Sequence, residues 1–162
     1  MSSVSPTLRA TGLSALAIGS VLALSGCGAI TSLLGGQGNV FDLSVGECFT
    51  ATELNNAFAS EEVSELPIVD CSEEHDSEIY YIEDLPEGDY PGDEFVSTEW
   101  EEICLGDNFT DFIGVPWEES EIDASALMPT QETWEQLDDR EITCYATSSG
   151  EMLTGSLSGA NR

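Results

Sequence analysis

The side chains able to do chemistry fall into few kinds: five cysteines, one histidine and 32 carboxylates, against three cations and no lysine. Among the thiols there is no C-x-x-C pair, which weakens a redox role. Cys71 and His75 stand at a ligand-like spacing, but the remaining zinc ligands would have to be scattered, so no metal is expected. His75 lies in Ser72-Glu73-Glu74-His75-Asp76, with Glu78 close behind. An acid-crowded imidazole suits a partner contact or a pH-sensitive ligand. Its plainer role is to cap the turn and pin the Cys71 segment. Arg140 follows Asp139 among very few cations, so an ion pair closing a turn outweighs a catalytic arginine. His75, Asp76, Glu78, Asp139 and Arg140 are thus the candidate binding residues, and structural roles compete at each.

Other chemistry finds less support. Glu83, Asp84, Glu87, Asp89, Asp93 and Glu94 cluster in a Pro/Gly-rich stretch, but EF-hand spacing is absent. Gly155-Ser156-Leu157-Ser158-Gly159 has leucine where a G-x-S-x-G nucleophile would need serine. Nothing singles out one acid pair for glycosidase chemistry. No catalytic residue and no cofactor are therefore assigned. The formal net charge of −29 excludes general nucleic-acid binding, since nothing neutralises phosphate. It also opposes electrostatic docking on anionic lipid, suits a partner with a basic patch, and favours a monomer.

All 32 carboxylates lie at or after Asp42, and the first 41 residues carry only Arg9. Residues 10–24 are apolar and small, too short to span a membrane comfortably but right for a signal-peptide core. Leu24-Ser25-Gly26-Cys27 resembles the lipobox of bacterial lipoproteins. It implies a signal peptide over 1–26, a diacylglycerol on Cys27, and an anchor on the outer face of the cell membrane. Residues 27–39 then read as the lipidated cysteine and a flexible Gly-rich tether. In an exported chain, Cys48, Cys71, Cys104 and Cys144 read as two disulfides. Three connectivities are open. Cys48–Cys71, joining neighbouring strands, and Cys104–Cys144, joining a helix to a late strand, are favoured.

These cysteines must be positioned by the elements around them. Phe41–Thr50 alternates like a strand, with a bulge or turn at Gly46. Glu53–Glu62 suits a helical turn, and Pro67–Cys71 a short buried strand. Ser77–Glu83 reads as a strand with Ile79 and Tyr81 on one face. A helix capped by Asp93 carries Val96, Trp100, Ile103 and Cys104 on its apolar face and ends at Gly114, with Gly106 weakening its middle. Ile122–Met128 is strand-like, Pro129-Thr130 opens a short helix containing Trp134, and Glu141–Thr147 is a strand. Ser148–Glu151 predicts a hairpin turn, with Met152–Leu157 as its return strand. The expectation is one α+β domain over 40–158: a small antiparallel sheet, one main helix, one short helix, two disulfides, and a tail at 159–162.

In order and spacing, several pieces resemble the septum-formation family of actinobacterial envelope proteins. They are Val45-Gly46-Glu47-Cys48-Phe49, Val69-Asp70-Cys71 running into His75-Asp76-Ser77-Glu78-Ile79-Tyr80, Tyr90-Pro91-Gly92, Cys104, Phe109 and Gly114. Later pieces are Pro129, Trp134, Asp139-Arg140, Cys144 and Leu153-Thr154-Gly155-Ser156-Leu157. Where that family often places glycine before the Asp-Arg pair, this chain has Asp138. The resemblance implies a lipid-anchored binding or scaffold module in cell-envelope or division-site assembly, and no defined activity. Two alternatives stand beside it: a wall-active, carboxylate-dependent enzyme, and an acidic surface protein without a specific partner.

Overall fold

The computed structural model describes residues 37–39, 42–59 and 65–162. Cys27 and the 1–26 leader lie outside the described residues. A four-stranded antiparallel sheet divides the molecule. Its order is β2 (Cys48–Phe49), β4 (Ser77–Asp84), β6 (Glu141–Thr147), β5 (Asp123–Leu127). On one face lie α2 (Asp93–Leu105) and α3 (Asp107–Ile113). On the other lie α1 (Ala51–Ala59) and a small ladder of β1 (Gln37–Asn39) against β3 (Glu65–Pro67). A fourth helix, α4 (Gln131–Leu137), links β5 to β6. The α+β class, with a small antiparallel sheet and two disulfides, is what the structure has.

Period-2 patterning puts Ile142, Cys144 and Ala146 of β6 into the core beneath α2 and α3. Tyr145 faces the opposite core, with Leu43, Phe49, Leu54, Leu66, Ile68 and Ile79. In β4 the simple alternation fails. A bulge between Ile79 and Tyr81 turns both Tyr80 and Tyr81 toward the helical side, and leaves Ile79 and Ile82 on the other. Two disulfides fasten the fold covalently, the first of them within the helical-side core. Cys104–Cys144 ties α2 to β6, and Cys48–Cys71 ties β2 to the turn before β4, with Cα separations of 5.5 and 5.3 Å.

Glycines set the bend and end of the main helix. Gly106 interrupts it between α2 and α3, where a β-carbon would stand 2.9 Å from the Glu102 carbonyl. Gly114 ends α3 in the left-handed conformation, φ 97°. Asp93 is the first helical residue of α2, and Gly92 holds the cap position assigned above to Asp93. Thr130 caps α4: Thr133 N–H donates to its side chain, while the Thr130 N–H donates to the Thr133 hydroxyl.

Six further expectations are corrected. The Phe41–Thr50 strand shrinks to Cys48–Phe49, because Val45-Gly46 is a turn that leaves Val45 exposed. The helical turn expected over Glu53–Glu62 is α1, Ala51–Ala59, which starts two residues earlier; residues 60–62 lie outside the described residues. The strand near Pro67–Cys71 falls earlier, at Glu65–Pro67, and Val69 makes only a single bridge to Cys48. Its partner is Gln37–Asn39, so the tether over 27–39 ends as a strand. Met152–Leu157 does not pair with β6, since β4 and β5 already occupy both edges of that strand. It runs instead beside residues 71–78, with a bridge between His75 and Leu153. Finally, the 159–162 tail packs on the fold, closing the 40–158 domain at its last residues: Gly159 N–H donates to Phe112 O (2.7 Å) and Asn161 N–H to Ile113 O (2.8 Å).

Candidate functional site

His75, Asp76 and Glu78 point inward. His75 is fully buried, and its Nδ1–H donates to the Glu73 carbonyl (2.9 Å), which fixes that nitrogen as the protonated one. Nε2 is buried and has no hydrogen-bond partner among the described residues. Asp76 accepts from Ala51 N–H (2.7 Å) and Ser77 Oγ (2.9 Å), holding the start of α1 to β4. Glu78 accepts from Ser156 Oγ (2.8 Å) and Leu157 N–H (2.6 Å), bringing the C-terminal segment onto β4. These three residues stitch distant segments together and offer a partner no exposed surface. An imidazole nitrogen of His75 and the sulfurs of Cys48 and Cys71 lie within 4.8 Å of one another. With the disulfide closed the sulfurs are not thiolates, so the trio has no ligand set for a metal.

Arg140 is held on several sides. Its Nη1 donates to Trp134 O (3.0 Å) and Asp139 O (2.9 Å), and its Nη2 to Asp138 Oδ1 (2.9 Å). The guanidinium lies 3.9 Å from the Trp134 ring centre. Its close ion pair is therefore with Asp138, with Glu87 farther off at 4.0 Å, and not with Asp139, whose carboxylate accepts from Glu141 N–H (3.2 Å). Asp138 adopts φ 59°, the left-handed conformation glycine takes most easily, and this aims its carboxylate at Arg140. Trp134 in turn donates to Gly88 O (2.9 Å) and packs edge-on against Tyr90. Asp138, Arg140 and Trp134 thereby pin α4 to the 85–90 loop.

Beyond this hub opens a groove of about 860 Å³, on the side of the sheet that carries α1. That is within the range of ligand sites. Its walls carry Phe58 of α1, Met128 after β5, and Leu137 of α4. These are three of the six large apolar side chains exposed among the described residues, at 50%, 41% and 59% exposure. Single exposed apolar residues are ordinary; three converging on one concavity are not. Its lining also includes four carboxylates, Asp84, Asp138, Asp139 and Glu141. Burial, and less strongly the charges of Asp84, Asp139 and Asp42, push the Glu141 carboxyl above the usual carboxylate range, partly offset by a hydrogen bond from Thr143.

Asp139 and Arg140 are legible in the sequence as candidate residues, whereas the groove is not. Phe58, Met128 and Leu137 sit on three elements, and no linear motif unites them. The signal that was legible is that each is a large apolar residue at a helix end or strand end, off the buried stripe. Among the described residues no helix is long and apolar enough to cross a membrane. Comparison with protein-family models, with curated proteins and with solved structures finds no match for this chain.

Proposed function

We propose that this protein is a lipid-anchored, extracytoplasmic binding module, not an enzyme, acting in cell-envelope or division-site assembly as the resemblance to septum-formation proteins implies. Its anchor is a diacylglycerol on Cys27 at the outer face of the membrane, and its partner is an envelope or divisome protein with a basic patch. The observation that carries the binding role is the open groove lined by exposed apolar side chains and four carboxylates. Two disulfides suit a domain exposed outside the cell, and one of them ties β6, which lines the groove, to α2. To test this, the chain is fused to an export-tolerant fluorescent protein after Arg162 and followed in dividing cells beside a Cys27→Ser control. Enrichment at the septum that Cys27→Ser disperses is the expected result. An even outline removes the division-site role, and an unchanged pattern in Cys27→Ser removes the anchor.

One second reading draws on the same groove. Glu141, whose carboxyl burial pushes above the usual carboxylate range, is paired across β4 and β6 with Asp84, and two adjoining carboxyls are what a wall-active, carboxylate-dependent enzyme would use. It predicts release of soluble fragments from peptidoglycan, lost in Glu141→Gln. Absence of release removes this reading.

A further inference from the structure

We infer that the groove between α1, β5 and α4 takes a peptide segment of a partner protein in which a large apolar residue is flanked by Lys or Arg. This rests on the binding-module reading and adds the chemistry of the ligand. The apolar half of the match is the wall. Phe58, Met128 and Leu137 would each lose a large part of their exposed surface to one inserted side chain.

The cationic half comes from the charge balance. Four carboxylates line the groove, and the one cation beside them is already engaged. Arg140 has a side chain only 10% exposed; its guanidinium lies against Trp134 and donates to Trp134 O, Asp139 O and Asp138. Of its two remaining N–H groups, the one on Nε has Glu87 4.0 Å away and no closer partner among the described residues. An anionic ligand would therefore meet Asp84, Asp139 and Glu141 with no cation free to receive it. A cation there relieves their mutual repulsion. A second copy of the chain is a poor occupant, because it brings the same acidic surface at a net charge of −29.

The test uses the full chain and three labelled twelve-residue peptides, alternating Leu-Lys, Gly-Lys and Leu-Glu, read by fluorescence anisotropy in 50 mM and 500 mM NaCl. Leu-Lys is expected to bind best and Leu-Glu not at all. Added salt is expected to weaken Leu-Lys while preserving its lead over Gly-Lys. Leu137→Ser and Phe58→Ser, at half-exposed positions, should each weaken Leu-Lys about tenfold. Val45→Ser and Met152→Ser, equally exposed but away from the groove, should not. Equal binding of Gly-Lys and Leu-Lys with no effect of Leu137→Ser would reduce the interaction to diffuse charge and overturn the proposal. So would tight binding of Leu-Glu, binding of no peptide, or a dimer in sedimentation that Leu137→Ser abolishes. If the peptides fail while the fusion still gathers at the septum, the groove is wrong and the module stands. If they bind while the fusion does not localise, the division-site role fails and the groove stands.

Discussion

At the scale of residues, the buried Glu78 and the half-exposed Glu141 respond to their surroundings in opposite ways. Glu78 is satisfied by Ser156 and the Leu157 N–H in the interior. Glu78→Ala leaves that N–H without a partner and should cost about 1–3 kcal/mol in urea unfolding. An unchanged midpoint would mean that water takes over the contact. Glu141 behaves in the opposite sense. Because its carboxyl is raised in the folded state, the fold holds that proton more tightly than the unfolded chain does. Its contribution to stability therefore falls as pH rises from the ordinary carboxylate range through the raised value. Glu141→Gln should flatten that decline and leave the protein at least as stable at neutral pH. The gain is well under about 1 kcal/mol once solvent screening of a half-exposed group is allowed for. Thermal melts across pH 4–8 check it, and a variant that declines as steeply as the parent would contradict it.

At the scale of elements, the main helix depends on two glycines and one disulfide. Gly114 combines φ 97° with a close approach, since a β-carbon there would meet Asn161 Oδ1 at 2.5 Å. Gly114→Ala should cost at least about 1 kcal/mol and free the last residues, Arg162 included, to rapid amide exchange. Loss of stability without such freeing would place the strain elsewhere. Replacing both Cys104 and Cys144 by alanine should cost roughly 3–4 kcal/mol, because α2 is no longer tied to β6 across 40 residues of chain. Differential scanning calorimetry measures this directly. The helix itself was legible in the sequence, through Val96, Ile103 and Cys104 at helical spacing with glycine beyond. The return strand after Ser148–Glu151 was not. A hairpin signal is local, whereas the partner strand it would need is set by which edges of β6 remain open.

At the scale of the whole molecule, a charge of −29 works against compaction. Raising NaCl from 10 to 500 mM shortens the Debye length from about 30 Å to a few ångströms and should raise the urea midpoint. A midpoint indifferent to salt would mean that the unfolded chain spreads its charge no better than the folded one. The sequence by itself determined the acidic balance, the cysteine inventory, the α+β class and the location of β4, α2, β5, α4 and β6. Those follow from composition and from periodicity within a single segment, which local sterics and amphipathicity fix. Only the tertiary structure decided that His75, Asp76 and Glu78 turn inward, that Arg140 pairs with Asp138 over Trp134, and that residues 159–162 belong to the fold. It alone decided that Phe58, Met128 and Leu137 meet around Glu141. Such outcomes depend on which surfaces the packed sheet leaves open, a property of contacts between residues far apart in the chain.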